Sequence, residues 1–205
     1  MPISHGCTSD VNEVYDSTAF FIRNGSFDKE FLFFGDVEPD TLSSSPRTLA
    51  VWHAAAPLIP ARLDTIFLEC SWTSSRPDSM LFGHLAPRHF VQELCSLARE
   101  VARCRSTRRP SLNGSSSPPA KRIKLQEPEL DLAGALQGVR VYVIHCKETF
   151  DDDRRPTEVI LGEIRELLVE HALGVEVEVA RQGTRIGACA TRRFRAFDTD
   201  SSVVF

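Results

Sequence analysis

The apolar positions of the chain fall into short runs separated by polar turns, a pattern that predicts strands. The runs at 17–24 and 30–35 are aromatic or β-branched and flank a Gly-Ser turn, so they predict a hairpin. Three later runs, at 64–71, 139–148 and 175–183, also have the composition of strands. Short runs that are apolar almost throughout are typical of strands buried in a sheet.

Three longer segments, in which apolar residues recur at helical spacing, lie between those strands. Residues 48–60 predict a buried helix, residues 87–104 an amphipathic helix, and residues 156–173 a third helix. Gly174 is placed to end the third helix, and His89 falls in the first turn of the second, where we expect it to face solvent. Strands that alternate with crossover helices predict an α/β fold with a buried sheet.

Composition changes sharply at residues 105–136, which are rich in Ser, Pro, Arg and Lys and have almost no aromatic content. Such a segment cannot bury enough apolar surface to offset the entropy lost on ordering, so we predict a disordered insertion. The insertion divides one domain into residues 1–104 and 137–188. Residues 189–205 predict a weakly ordered tail.

Overall composition argues against several classes of protein. The 205 residues are 42% hydrophobic, which is ordinary for a globular protein with a core. A net charge of -4 argues against whole-surface nucleic-acid binding, although local charge can still be uneven. No apolar run approaches the roughly 18 to 20 residues that cross a bilayer. The six cysteines form no CxxC pair and the first residues do not resemble a secretory signal, so we expect reduced thiols in a cytoplasmic protein.

Polar groups that can bind metals or transfer protons lie at the ends of several apolar segments. They are His5, Asp36, Glu69, His84 and His145. Loops at the ends of buried strands are where α/β proteins gather their active residues. Two imidazoles with a carboxylate are ligand types that a zinc-like ion uses, and one carboxylate can bridge a pair of ions.

The same residues also fit structural roles. No compact metal motif such as HExxH joins them. Each histidine, taken alone, fits a partly buried hydrogen-bonded residue, and Asp36 after Gly35 fits a turn former or a helix N-cap. Cys70 and Cys146 fit small core residues beside a site, or groups that contact its ligands. The residue types alone therefore leave a metal site and a structural role both open.

Six blocks in order carry a resemblance to a known family: "SHGC", "STAFFIRN", "FLFFGDVEPD", "IFLECSW", "LFGHLAPRHFVQEL" and "VYVIHCKE". Together they resemble the class II cyclic-nucleotide phosphodiesterases of fungi and bacteria, which have the metallo-β-lactamase fold. The resemblance implies an αββα sandwich, here incomplete at the N-terminus, with a dinuclear centre of two divalent ions, zinc in our prediction.

The same resemblance implies an activity and its partners. The reaction is hydrolysis of 3′,5′-cyclic AMP, or of cyclic GMP, to the 5′-nucleotide, as a step of cyclic-nucleotide signalling. We expect neither a nucleic-acid partner nor a membrane partner, and a homodimer stays open.

The resemblance also implies roles for single residues. His5 matches an isolated histidine ligand, Asp36 the bridging aspartate, and His145 the last histidine ligand. His84, in "GHLAP", matches a histidine that contacts the scissile phosphate or protonates the leaving oxygen. Asn24 and Glu69 lie in matched blocks and are candidates for lining the substrate pocket.

One block that defines the family, of the form HxHxDH, does not occur in this sequence. Because that block supplies two ligands for each metal, we expect the chain to be a C-terminal fragment with little activity by itself, and to expose apolar surface. Two other functions stay open. One is an RNA-processing nuclease of the same fold, and the other is a degenerate domain that binds a nucleotide or a protein without turnover.

Two short patterns lie inside the insertion. "PPAKRIKL" is similar to a nuclear-import sequence and would predict a nuclear as well as a cytoplasmic location, although we favour a solvated basic linker. Its basic residues are Lys121, Arg122 and Lys124. "RRPSL" is similar to a basophilic kinase site, with Ser111 as the acceptor.

Overall fold

Eight strands and three α-helices form the part of the chain that the structure describes. In this computed structural model, that part comprises residues 1–7, 14–25, 28–107, 130–147, 155–187 and 202–204. The strands are β1 (Pro2–Cys7), β2 (Val14–Asn24), β3 (Lys29–Phe34), β4 (Leu63–Glu69), β5 (Arg140–Ile144), β6 (Glu176–Val179), β7 (Arg185–Gly187) and β8 (Ser202–Val204). The helices are α1 (Thr48–Ala55), α2 (Pro87–Thr107) and α3 (Pro156–His171), with short 3-10 helices at Ala56–Leu58 and Asp78–Met80.

Six of the strands, β1 to β6, form one mixed sheet in the order of the sequence. β1, β2 and β3 pair antiparallel, whereas β3, β4, β5 and β6 pair parallel. The helices α1, α2 and α3 connect the parallel strands in turn. The carboxyl ends of β3, β4 and β5 consequently meet at one edge of the sheet, and the predicted α/β class is confirmed.

One face of this sheet packs against the helices. Leu32, Ile66 and Val141, from three neighbouring strands, belong to the same buried cluster as side chains of α1, α2 and α3. Trp52 of α1 is fully buried there, and its ring lies 4.9 Å from that of Phe34. Alternation along each strand sends every second apolar side chain to this face, which holds the main core.

The opposite face carries an apolar cluster in which the described helices take no part. Phe31, Phe67 and Tyr142 are buried in it. Phe20 and Ile22, which lie beside this cluster on β2, are 51% and 52% exposed. Phe20 and Ile22 thus expose apolar surface on this face.

The predicted hairpin is confirmed, because β2 and β3 pair with Ala19 opposite Phe34 and Asn24 opposite Lys29. The three predicted helices are also present. α1 is shorter than predicted and continues only as a 3-10 turn. None of the described helices is long and apolar enough to cross a membrane.

The described residues reach into both ends of the predicted insertion 105–136. Helix α2 continues to Thr107, and at the other end Ala135 and Leu136 are buried in the main core. Residues 108–129 lie outside the described part of the chain. In the tail, the short strand β8 pairs with β7.

Two local predictions are corrected. His89 is only 3% exposed, and its Nε2 lies 3.4 Å from a carboxylate oxygen of Asp78, in the short 3-10 helix before α2. Burial lowers the pKa of His89. Helix α3 ends at His171, and the next residue, Ala172, takes a left-handed conformation with φ of +48°, two residues before Gly174.

Candidate metal centre

Three predicted ligands lie at one edge of the sheet because of where their strands run. Asp36 follows β3 by two residues, and His145 is the first residue after β5. His5 lies in an irregular stretch of β1, where the pairing with β2 shifts between Ser4 and Cys7. Such bulges redirect side chains and are frequent beside active sites.

The Asp36 carboxylate lies between two imidazole rings. Its Oδ1 is 2.7 Å from Nδ1 of His145, and its Oδ2 is 3.6 Å from Nε2 of His5. The side chains of Asp36 and His145 are each 39% exposed, and that of His5 is 27% exposed. Each oxygen of the Asp36 carboxylate thus faces the ring nitrogen of a different histidine, and solvent reaches all three side chains. A carboxylate that bridges two cations is arranged in this way.

Two glycines let the segments that carry His5 and His84 approach each other. Gly6 and Gly83 have φ of +77° and +79°, and a Cβ on Gly83 would lie 3.0 Å from the backbone nitrogen of Gly6. At this close approach, Nδ1 of His5 lies 3.0 Å from the carbonyl oxygen of Gly83 and donates a hydrogen bond to it. Nε2 of His5 is then the acceptor that faces Asp36, as is usual for a histidine that ligates a metal.

His145 itself has an uncommon backbone conformation. Its φ is +56°, in the left-handed region that costs a non-glycine residue about 1–2 kcal/mol. Conformations of this kind persist only where the surrounding structure holds them, and they cluster at functional sites. The fold therefore maintains local strain at a residue predicted to be a ligand.

Glu69 and His84 form a buried pair behind these three residues. Glu69 is fully buried and His84 is 4% exposed. Oε1 of Glu69 accepts hydrogen bonds from His84 Nδ1 at 2.9 Å and from the backbone N–H of Val37 at 3.0 Å. Its Oε2 accepts from the hydroxyl of Ser71 at 2.6 Å. Both oxygens of Glu69 are thus engaged inside the protein, and the structure does not direct them into an open pocket.

The sequence reasoning missed Lys147. Its Nζ lies 2.8 Å from Nε2 of His84 and 5.0 Å from the ring centroid of Trp72. The ring of His84 in turn lies between those of His5 and His145, at 4.9 and 5.0 Å between centroids. The only sequence signal was the position of this lysine, two residues after a predicted ligand in the matched block "VYVIHCKE".

Burial affects the thiols of the two cysteines near the site, Cys70 and Cys146. Burial raises the pKa of Cys70 well above its ordinary value, and the charge of Glu69 raises it further. Burial raises the pKa of Cys146 to about 11, again with a contribution from Glu69. A thiolate is the form that ligates metal, so neither residue is a ready ligand.

The donor set at this edge fits divalent metal, though within the described residues it is not complete. Ligand atoms of Asp36, Glu69, His84 and His145 lie within 4.8 Å of one another. The nitrogens of His84 and the oxygens of Glu69 already have hydrogen-bond partners, which leaves Asp36, His145 and the adjacent His5 as donors. Three donors are fewer than two ions need, so full coordination requires further ligands.

A cavity of about 710 Å³ opens beside His5. Two exposed aromatic side chains, Tyr15 and Phe82, and the half-exposed Glu38 lie on its wall, which also includes Gly83. Within the described residues the Glu38 carboxylate has neither a hydrogen-bond nor an ion-pair partner. The cavity is within the size range of small-molecule sites and combines apolar surface with a few polar groups.

Other predicted residues are not brought to this site. Asn24 pairs with Lys29 at the start of β3, so it lies at the edge of the sheet away from Asp36. Ser111, Lys121, Arg122 and Lys124 lie outside the described residues, so phosphorylation and nuclear import stay predictions.

A family profile described as class-II cAMP phosphodiesterases matches residues 1–183. The chain belongs to this family. A solved structure entitled "Crystal structure of unliganded yeast PDE1" is similar to it, with a TM-score of 0.66, 26% identity, and coverage of 88% of this chain and 42% of that chain. The predicted relationship to the class II phosphodiesterases is thus confirmed.

Several curated relatives carry the name 3′,5′-cyclic-nucleotide phosphodiesterase, among them two from yeasts. That of Schizosaccharomyces pombe is 47% identical over 97 residues, which are 47% of this chain and 27% of the relative. That of Candida albicans is 31% identical over 189 residues, which cover 86% of this chain and 39% of the relative. The chain therefore spans less than half the length of each of these relatives.

Proposed function

We propose that the chain takes part in hydrolysing 3′,5′-cyclic AMP, or cyclic GMP, to the 5′-nucleotide. The observation that carries this proposal is the position of the Asp36 carboxylate, whose two oxygens face His145 and His5 separately. The names of the similar proteins support the same class of substrate.

In this proposal Asp36, His5 and His145 hold two divalent ions, with zinc as the ion that these donor types suit. When bound, such ions neutralise charge on the phosphoryl oxygens and lower the pKa of bound water, so that hydroxide is available near neutral pH to attack phosphorus. The chain itself fixes the donors. The N–H of Val37, next to Asp36, is bonded to Glu69, and His5 is oriented by the Gly83 carbonyl.

The cavity beside His5 is where we place the ribose and the base of the nucleotide. It adjoins the candidate metal centre, because His5 belongs to both. Phe82 is 65% exposed and offers a surface on which a purine can stack, which contributes about 1–3 kcal/mol per base in other proteins. Phe82→Ala is expected to raise the KM for cyclic AMP by about tenfold, whereas Phe82→Tyr keeps it.

Because the donor set is incomplete, we expect slow hydrolysis by the chain alone. The test compares the purified chain with a longer version that carries an HxHxDH block upstream, each with zinc, and measures 5′-AMP by chromatography. The longer version should be more than about 100-fold faster and EDTA should abolish its activity, since it removes the ions. Zinc binding to the chain alone, measured by calorimetry, should weaken in Asp36→Asn.

Two outcomes would contradict the proposal. One is that neither version hydrolyses cyclic AMP or cyclic GMP. The other is that Asp36→Asn in the longer version retains full activity, which would mean that the carboxylate between the two histidines is not part of the catalytic machinery.

A further inference from the structure

Lys147 is a half-buried cation at the candidate metal centre, and among the described residues its charge has no carboxylate partner. Within the described residues no carboxylate oxygen lies within 4.0 Å of its ammonium group. Lys29, by contrast, lies 2.8 Å from Asp64. Trp72, 5.0 Å away, offers only the face of its ring. An unmatched cation of this kind, at a site open to solvent, is a position where an anion binds.

A buried pair of side chains fixes the direction of this ammonium. An ammonium group only donates, so Nε2 of His84 accepts from Lys147 at 2.8 Å. The proton of the neutral ring is then on Nδ1, which donates to Glu69 at 2.9 Å. Glu69 is fully buried and is itself held by Val37 and Ser71. The lysine head group is therefore aimed by a rigid hydrogen-bonded chain.

The backbone of Lys147 is fixed by the ends of two strands. Its N–H donates to the carbonyl of Ser71 at 3.0 Å, and the N–H of Cys70 donates to Ile144 at 3.1 Å. The hydroxyl of Ser71 lies 2.9 Å from the carbonyl oxygen of His145. Ser71 thus contacts the backbone of both Lys147 and the predicted ligand His145 after the end of β5. These contacts fix the position of the Lys147 ammonium relative to the candidate metal centre.

We propose that Lys147 binds a non-bridging oxygen of the substrate phosphate, and that Glu69 and His84 are positioning residues that aim its ammonium. The chemical class of the ligand is a phosphate anion, either the diester of a cyclic nucleotide or inorganic phosphate. The choice of the diester rests on the proposed function. His84 then acts through Lys147 and does not itself reach the leaving oxygen.

The first experiment measures binding by calorimetry, with EDTA present so that no metal ion contributes. Cyclic AMP, inorganic phosphate and adenosine are titrated into the wild-type chain, Lys147→Met, Lys147→Arg and Arg99→Met. Arg99 is an exposed cation on α2 and serves as the control for loss of one charge. We expect Lys147→Met to weaken binding of both phosphate ligands by at least about tenfold, Lys147→Arg by less, and Arg99→Met not at all.

The arms with different ligands separate the possible anions. Loss of affinity for cyclic AMP alone identifies a diester position, and loss for both ligands identifies a general phosphate position. Adenosine binding should not depend on Lys147. The proposal is overturned if Lys147→Met binds both phosphate ligands as the wild type does, or if the wild type binds neither.

The second experiment tests the positioning role by nitrogen-15 NMR of the histidine rings. We expect His84 in the wild type to carry its proton on Nδ1, and Glu69→Gln to lose that preference and to weaken phosphate binding by about threefold. Glu69→Asp, which keeps the carboxylate, should recover part of both. A proton on Nε2 in the folded wild-type chain would exclude the proposed chain of hydrogen bonds.

Activity of the longer version then separates this inference from the proposed function. If Lys147→Met hydrolyses cyclic AMP with an unchanged KM, the function stands and the role of Lys147 fails. If no cyclic nucleotide is hydrolysed but phosphate binding still depends on Lys147, the anion site stands and the proposed function fails. When both hold, KM should rise about tenfold in Lys147→Met.

Discussion

Asp36 and Asp40 lie four residues apart in "GDVEPD", yet the structure uses them in opposite ways. Asp40 accepts hydrogen bonds from the backbone N–H groups of Arg47, Thr48 and Leu49, at 3.0, 2.9 and 2.8 Å. It therefore caps the first turn of α1 from a preceding loop. Within the described residues Asp36 accepts no backbone hydrogen bond, and its oxygens face two imidazole nitrogens.

The difference shows that partners, not residue type, separate a structural carboxylate from a functional one. The oxygens of Asp40 are occupied by backbone donors of the fold, so they can take no further ligand without uncapping a helix. Those of Asp36 face titratable rings and solvent, so a cation can replace the contacts at little structural cost. The comparison can be tested by removing each carboxylate, or a neighbour of each, in turn.

The largest effect is expected from Asp36→Asn. Metal binding and cyclic AMP hydrolysis should fall by more than about 100-fold. Loss of a residue that only hydrogen-bonds to a metal ligand already costs about 10–100-fold in metal affinity or activity. The free energy of unfolding should change by less than about 1 kcal/mol, since no backbone group loses a partner. Calorimetric zinc titration and urea unfolding measure the two quantities. A large loss of stability would show that Asp36 is structural in the same sense as Asp40.

Glu93, which neighbours Asp40, predicts a pH dependence of stability. Burial raises its pKa from the ordinary 4.5 to about 7, although Trp52 donates a hydrogen bond to it at 2.7 Å. Because the folded-state pKa of Glu93 is raised, its protonated side chain contributes fully to the free energy of unfolding below pH 4.5. This contribution is lost as the pH rises through 7. The difference amounts to about 3 kcal/mol.

Glutamine does not titrate, so Glu93→Gln should not show this loss. Its free energy of unfolding should therefore increase relative to that of the wild type as the pH rises from 4 to 8. Urea unfolding across that range measures the effect, with the exposed Glu170→Gln on α3 as the matched control. Parallel stability curves for the wild type and Glu93→Gln would rule out the raised pKa.

Asp40→Ala is expected to destabilise the fold by about 2 kcal/mol, because it removes the acceptor for the first N–H groups of α1. Asp40→Asn should lose less, since its amide oxygen still accepts. Thermal unfolding measures both. Zinc affinity should be unchanged in Asp40→Asn, and a loss comparable to that of Asp36→Asn would contradict the separation of the two aspartates.

Gly83→Ala gives the smallest expected effect, about 1–2 kcal/mol of stability, because an L-residue is strained at a φ of +79°. The added methyl would also meet the His5 ring nitrogen at 3.1 Å, so zinc affinity should fall together with stability. Gly25→Ala, with nothing within 4 Å of its Cβ, is the control. An unchanged zinc affinity in Gly83→Ala would show that His5 does not depend on this approach.

The sequence was sufficient for the fold class and for the strand ends that carry candidate ligands. Parallel strands bring their carboxyl ends to one edge, so a pattern of apolar runs followed by Asp36 or His145 predicts their proximity. The roles of Glu69 and Lys147 were not predictable, because they depend on side-chain directions in three dimensions. His89 was misjudged for the same reason, since helical spacing says nothing about the loop that covers a first turn.

The ends of the segment 108–129 lie far from the candidate metal centre. Helix α2 starts near the edge that carries Asp36 and ends at Thr107, and β5 starts at Arg140 on the edge of the sheet away from Asp36. We therefore expect a reporter domain inserted within residues 108–129 to leave the geometry around Asp36 unchanged.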